Sequence, residues 1–245
     1  MSGASDTLVV GTRGSTLARA QTQWVIDRLH HFHPPLTIRM EIIRTTGDRL
    51  EGRPLPEIGG KGLFTAELEQ ALLEGRIDLA VHSAKDLPTD LGKGLAILAW
   101  PAREDPRDVW VSADGTPLLE LPAGSTVGTS SLRRQDQILV RRPDLKFVGL
   151  RGNIDTRIRK IHQGRCAGAV LAMAGLVRAN LADHVTHVLE PAVCVPAPGQ
   201  GALALQGRAD DERVRGWLQP IHDPQTAVAV EIERAILAAL DAGCR

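Results

Sequence analysis

The chain has 245 residues, 43% of them hydrophobic, with 29 basic residues against 29 acidic ones. That length suits about two domains, and that apolar content supplies real cores, which excludes global disorder. Zero net charge and 3% aromatics argue against a general polyanion binder and against a stacking platform for single-stranded nucleic acid. No apolar run approaches the ~20 residues of a membrane helix, and the N-terminus lacks the pattern of a signal peptide. Cys166, Cys194 and Cys244 have no CxxC spacing. They argue against a disulfide framework or structural zinc and predict a reducing, cytoplasmic setting. Of the 29 cations, 24 are Arg and 5 are Lys. Either genome composition or forked recognition of carboxylate and phosphate gives that bias.

In chain order, Thr7 to Val10 reads as a short buried strand. Ser15 caps a helix with apolar positions Leu17, Ala20, Trp24, Val25, Leu29 and Phe32, which Pro34 and Pro35 end. Thr37 to Ile43 reads as a strand. Gly47 to Gly62, with five Gly and two Pro, reads as a mobile loop, either a lid or a plain surface excursion. Phe64 to Leu73 returns to helix, Ile77 to Val81 and Ala96 to Trp100 to strand. PAREDPRD, 101–108, then reads as a crossing segment. A second α/β run follows: strands at 109–111, 126–128, 146–150 and 169–172, with helices from Ser131 and Asn153. VPAPGQG, 195–201, is a second crossing. Asp223-Pro224 opens a last helix with an apolar stripe of Val228, Ile232, Ala235, Ile236, Ala239 and Leu240, and Gly243 is its expected C-terminal cap.

This alternation predicts an α/β fold with partly parallel sheets, and two crossings predict two lobes with a cleft. The expected domains are 1–101 with 200–221, then 102–199, then a segment 222–245 at the C-terminal helix.

Polar residues gather just past predicted strand ends, the edge where open α/β sheets bind ligands. They are Thr12, Arg13 and Ser15; His82 to Asp86; Gly128 to Arg134; Arg151 to Arg157; and, more weakly, Gly175 to Arg178. In the third group, small hydroxyl residues precede a helix whose first turn holds two arginines, where acids are the rule. An anionic ligand explains the exception; an N-cap with two solvated arginines is the plainer account. Arg13, Arg151 and Arg157 in equivalent places favour a ligand with several carboxylates or phosphates. No GxxxxGK[ST] motif indicates a nucleotide, and no HExxH cluster indicates a metal. His82 reads as a structural histidine rather than a general base. Asp86, beside Lys85, is either a plain turn residue or a carboxylate held ionised by surrounding cations. Cys166 and Cys194 read as buried structural thiols; Cys244 is either that or an attachment point.

Eight stretches in order resemble the hydroxymethylbilane synthase, or porphobilinogen deaminase, family. They are GTRGSTLA (11–18), TTGD (45–48), IGGKGLFTAELEQALLEGRIDLAVHSAKDLPT (58–89), REDPRD (103–108), GTSSLRRQ (128–135), LRGNIDTRI (150–158), PAPGQGAL (196–203) and ERAILAALDAGC (233–244). The resemblance implies periplasmic-binding-protein-like lobes and a transferase of tetrapyrrole biosynthesis. Such an enzyme expels ammonia from porphobilinogen through an electrophilic azafulvenium and joins four pyrroles head to tail. Water then releases 1-hydroxymethylbilane. Growth starts on a dipyrromethane cofactor joined to a cysteine by a thioether.

By resemblance, Cys244 carries the dipyrromethane and Asp86 is the catalytic carboxylate, stabilising positive charge on a pyrrole nitrogen. Ser83, Lys85, Thr129, Ser131, Arg133, Arg134 and Arg157 hold cofactor carboxylates. Arg13, Ser15, Arg151, Arg157 and Arg178 hold substrate or the growing chain, Phe64 packs on a pyrrole, and Gly47 to Gly62 covers the cleft. A monomer is expected, with no nucleic-acid or membrane partner. The family continues past the cofactor cysteine into a small third domain, so 222–245 reads as that domain's remnant. The alternatives are an impaired two-lobe form that only binds polycarboxylate pyrroles, and one piece of a split enzyme. Its partners would then be a separate C-terminal domain or a downstream uroporphyrinogen III synthase. Gln206 stands where the family often has an acidic residue, with no consequence assigned to it.

Overall fold

The computed structural model describes residues 7–49 and 65–240. Phe64, Cys244 and most of the Gly47–Gly62 loop lie outside them. The chain divides into two units, Met1–Arg103 with Ala202–Arg245, and Glu104–Gly201, so it leaves the first, builds the second and returns.

The first unit is a five-stranded sheet in the order β2-β1-β3-β10-β4. Strands β1 (Thr7–Arg13), β2 (Thr37–Ile43) and β3 (Leu79–Ser83) are parallel, while β10 (Leu203–Arg208) lies antiparallel between β3 and β4 (Leu95–Ala99). Strands buried on both faces read as apolar runs, as LVV and LAV do here. Helices α1 (Thr16–Phe32) and α7 (Glu212–Leu218) cover one face, where Val25, Ile26, Leu29, Val214 and Leu218 meet Leu8, Val10, Leu79, Val81, Leu203 and Leu205. On the other face Leu68, Ala71 and Leu72 of α3 (Ala66–Leu73) meet Ile43, Ile77 and Ala80. Residues Thr46–Arg49 form a helical turn, α2, which takes in the first three residues of the expected loop.

On two helices the apolar positions named from the sequence do not all lie on the buried face. On α1, Trp24 and Phe32 face outward, Trp24 under the Arg28 guanidinium and Phe32 edge-on to His31. Gln21 and Thr22 take the buried positions. On α8 (Pro224–Ala239) the buried side is Thr226, Ala227 and Val230. Its apolar stripe faces solvent, with Val228, Ile232, Ile236 and Leu240 58%, 56%, 55% and 71% exposed. Polar anchors hold this helix: Asp223 caps it through the Thr226 amide, the Arg103 guanidinium meets Glu233 in a two-pronged pair at 2.7 and 2.9 Å, and Arg234 donates to the Pro88 carbonyl.

The second unit is a sheet in the order β7-β6-β8-β5-β9. Strands β6 (Thr126–Gly128), β7 (Lys146–Val148) and β8 (Gly168–Ala172) are parallel; β5 (Asp108–Ser112) runs antiparallel to both β8 and β9 (His187–Leu189). Helices α4 (Leu132–Arg141), α5 (Ile154–His162) and α6 (Met173–Arg178) follow β6, β7 and β8 in turn. One core gathers Ile158, Ile161 and Leu176 on Val109, Val111 and Ala169; another gathers Ile138 on Trp110, Val127 and Val170. Gly168 is required by packing, since a Cβ there would lie 2.4 Å from the Trp110 ring and 2.5 Å from the Val111 carbonyl. Strands β9 and β10 were not among the expected elements. The described residues contain no helix long and apolar enough to cross a membrane.

Candidate functional site

Because β1 and β3 are parallel neighbours, their last residues reach one edge of the first sheet. Arg13 ends β1, and the Ser15 hydroxyl accepts from the Ala18 amide at 3.2 Å to cap α1. Ser83 ends β3, and Lys85 and Asp86 follow on a single 3₁₀ turn, Ala84–Asp86, whose first amide is held by the Ala202 carbonyl of the neighbouring β10 segment. Asp86 is exposed while Ala84 and Leu87 on either side are buried, so the turn presents the carboxylate to solvent. Gln21 of α1 reaches across to Ser83, its Nε2 donating to the Ser83 hydroxyl at 3.2 Å.

His82 is 5% exposed and hydrogen-bonded by Nε2 to Gln206 Oε1 at 2.9 Å. Gln206 Nε2 donates to Glu69 Oε1 at 2.9 Å. With the amide nitrogen committed to a carboxylate, the amide oxygen must face His82, which places the imidazole proton on Nε2. Burial pushes the His82 pKa down to about 4; the Gln206 bond opposes this, and the Arg13 charge adds to it. His82 is therefore a neutral structural histidine, and Gln206 has a consequence after all: it orients that ring.

In the second unit the parallel strands β6, β7 and β8 deliver their following loops to one edge. Thr129 is buried, and its hydroxyl accepts from the Ser131 amide at 3.2 Å. That bond shapes the turn leading to Ser131, which caps α4 by position without a side-chain bond of its own. Arg151 follows β7, its carbonyl accepting from Lys160 at 2.9 Å. Arg157 donates by Nε to the Gly152 carbonyl at 2.8 Å, and Arg178 by Nη2 to the Gly201 carbonyl at 2.7 Å. Burial lowers the pKa of both, that of Arg178 to about 10; Arg134 lowers Arg157 further, while Glu104 partly offsets the effect on Arg178.

The residue that sequence reasoning missed is Asp108. Strand β5 runs antiparallel to β8, pairing Asp108 with Ala172, so its first residue sits at the edge where β8 ends. Its carboxylate is 0% exposed. Oδ1 accepts from Arg134 Nε and Nη2 at 3.1 and 2.7 Å and from Gln200 Nε2 at 2.9 Å. Oδ2 accepts from Arg133 Nη2 at 2.7 Å and from the Cys194 thiol at 3.2 Å. Burial alone pushes this carboxyl up, but the two guanidiniums outweigh it and hold it below the ordinary carboxylate range. The two arginines in the first turn of α4 thus have an internal anion, an account beside the two that the sequence offered, an anionic ligand or solvated side chains. Arg134 is 8% exposed and also donates to the Val170 carbonyl; Arg133 also bonds the Val195 carbonyl. Cys194 is buried, with its thiol pushed up to about 11 by burial and by Asp108. Burial likewise raises the Cys166 thiol. The only signal for Asp108 was its place as the last residue of REDPRD, just before a strand.

The donor set suits a polycarboxylate. Among the described residues no carboxylate pairs with the Arg157 guanidinium. Desolvated guanidiniums are costly to leave unpaired, and a ligand carboxylate meets that cost with two parallel bonds. No group of acidic, histidine or cysteine side chains suited to a metal occurs among the described residues.

Comparison with known proteins gives the family. Residues 8–216 match the family described as porphobilinogen deaminase, dipyromethane cofactor binding domain. The chain is 52% identical over 238 residues to a porphobilinogen deaminase of Desulforudis audaxviator, covering 97% of this chain and 77% of that one. It is 51% identical over 238 residues to one of Nitrobacter winogradskyi, covering 96% and 75%. Among solved structures, the methionine binding protein MetQ superposes with a TM-score of 0.54 at 16% identity, over 94% of this chain and 97% of that one. That likeness shows the α/β, periplasmic-binding-protein-like fold and nothing of the chemistry. The family match, half-identical relatives and an arginine-lined edge suited to carboxylates together place this chain in the porphobilinogen deaminase family, transferases of tetrapyrrole biosynthesis with a dipyrromethane cofactor.

Proposed function

We propose that this transferase deaminates porphobilinogen and joins four units head to tail, releasing 1-hydroxymethylbilane, with Asp86 as its catalytic carboxylate and Cys244 as its attachment point. The observation that carries the reading is the guanidinium set at the second sheet's edge, where Arg157 and Arg178 are desolvated and Arg157 has no carboxylate partner among the described residues. Each pyrrole of the substrate class bears an acetate and a propionate, and forked guanidiniums are the side chains suited to them. When bound, the dipyrromethane supplies the pyrrole carbon on which the chain is extended.

The roles fall into two sets. Arg133, Arg134 and Arg157, with the Thr129 and Ser131 turn and with Ser83 and Lys85, hold cofactor carboxylates. Arg13, Ser15, Arg151, Arg157 and Arg178 hold substrate carboxylates, and Phe64 packs on a pyrrole. Loss of ammonia leaves positive charge on the substrate pyrrole nitrogen. A carboxylate fixed on a short turn, as Asp86 is, lowers the energy of that charge without reorganising. Neutral His82 adds no cation beside it. The arrangement of segments, 1–101 with 200–221, 102–199 and 222–245, follows the same reading. So does a cytoplasmic setting, which three cysteines without paired spacing support.

The test is the intact mass of the denatured full chain. A gain of two porphobilinogens less two ammonias, lost in Cys244→Ser, is expected. An unmodified mass after incubation with porphobilinogen or with preformed hydroxymethylbilane would refute the attachment. Asp86→Asn is expected to bind substrate while nearly abolishing turnover, and near-normal turnover would reject its role.

A further inference from the structure

The buried carboxylate at the start of β5 has a consequence for the cofactor site. Two arginines in the first turn of α4 sit at the positive end of the helix dipole and repel one another, so left alone both side chains would swing to solvent. Asp108 prevents this. Its two oxygens divide the work, Oδ1 taking Arg134 in a fork and Oδ2 taking Arg133. The Gln200 amide and the Cys194 thiol donate to the same carboxylate at 2.9 and 3.2 Å, one to each oxygen, and so help to fix it. Gln200 is itself held to the Pro106 carbonyl at 2.6 Å. One carboxylate under two guanidiniums leaves one positive charge over, beside the further cation of Arg157.

We propose that Asp108 is the positioning residue of the cofactor-carboxylate site: it fixes the Arg133 and Arg134 guanidiniums in a shared orientation and leaves a net cation aimed at the ligand. Gln200 and Cys194 are its supports, which gives the Cys194 thiol a hydrogen-bonding part rather than a reactive one. Arg134, bonded by Nε, Nη1 and Nη2 within the protein, is the rigid half of the pair. Arg133, with a side chain 26% exposed, is the half that reaches the ligand. The inference rests on the reading of these arginines as holders of cofactor carboxylates.

The test is a two-residue cycle on the full chain, produced as apoprotein in a host that makes no porphobilinogen. The rate of mass gain on adding porphobilinogen is followed for wild type, Asp108→Asn, Arg133→Gln and the double variant. If Asp108 acts through the arginines, Asp108→Asn slows loading about tenfold in the wild-type background and about twofold or less in the Arg133→Gln background. The loss should appear as a higher porphobilinogen concentration for half-maximal rate. A tenfold loss in both backgrounds would mark a merely structural carboxylate, and a folded Asp108→Asn that loads normally would overturn the proposal outright. Normal loading by Arg133→Gln would sink the reading of the arginines, and this inference with it; slow loading by Arg133→Gln beside normal loading by Asp108→Asn would sink this inference alone. Should Asp108→Asn fail to fold, Asp108→Glu keeps the buried charge and moves the oxygens by one methylene. It should load as slowly as Asn was expected to, and a folded Asp108→Glu with wild-type loading would also overturn the proposal.

Discussion

Acidification should cost this protein stability through His82, well above the pH at which carboxylates protonate. The imidazole is 5% exposed, and burial holds its pKa at about 4 against 6.5 for a solvated ring. Between those values the unfolded chain takes up a proton that the folded chain refuses, so stability rises with pH across the window and falls as pH drops through it. At about 1.4 kcal/mol per pKa unit, the gap amounts to roughly 3 kcal/mol, fully lost by about pH 4. In a chain of this size that lowers the melting temperature by about 6–12 °C. The assay is urea or thermal unfolding followed by tryptophan fluorescence, at steps from pH 7 to pH 4, for wild type and His82→Gln. The variant cannot titrate there, so other groups cancel in the difference. Its disadvantage at pH 7 should shrink by roughly 3 kcal/mol as pH falls. Parallel curves would refute the reasoning, as would a His82 ring that titrates near its ordinary value by NMR.

Other positions give further tests. Gly201 has φ +88 and a Cβ there would lie 2.4 Å from the Glu104 carbonyl oxygen, so Gly201→Ala should destabilise by about 2 kcal/mol or more in urea unfolding. Glu233→Gln removes the charge facing Arg103 across the 2.7 Å contact and should lower the melting temperature by about 3–5 °C. Because Ile232 is 56% exposed, Ile232→Gln should change stability by no more than about 0.5 kcal/mol, whereas Val230→Ala on the buried side should cost roughly 1–3 kcal/mol. Below pH 4 a second acid loss is expected from Asp108. Its folded pKa is held low by Arg134 and Arg133 against burial, so its contribution is present above the ordinary carboxylate value and disappears as pH falls further. Urea unfolding at pH 2 to 4 should show the stability gap between wild type and Asp108→Asn shrinking as pH falls, since the other carboxylates cancel in that difference.

Residues near one another in sequence carried most of the element pattern. The strands Thr37–Ile43 and Thr126–Gly128 stand where the sequence placed them, and Ser15, Ser131, Asn153 and Asp223 all stand at helix starts. Local chemistry suffices there, since a cap acts within one turn and a buried strand is a short apolar run. Strand β10 escaped because LALQGR has no β-branched or aromatic residue and ends in Gln, Gly and Arg. Its state is decided by pairing with β3 and β4, more than a hundred residues earlier in the chain. The faces of α1 and α8 escaped for a related reason, because periodicity finds a stripe without saying which neighbour, if any, covers it.

The candidate site divides in the same way. Sequence by itself determined the family and placed Arg13, Arg133, Arg134, Arg151, Arg157 and Arg178 at or after strand ends, because those motifs are contiguous and each follows its own strand. Tertiary structure alone decided which charges meet. Asp108 and Arg134 are 26 positions apart, His82 and Gln206 are 124, and Gln206 and Glu69 are 137. Only an antiparallel strand returning to the parallel edge brings such groups within bonding distance. Burial then turns a surface-like pattern of Arg, Asp and His into a fixed guanidinium pair and a neutral imidazole, since desolvation depends on packing that no single segment records.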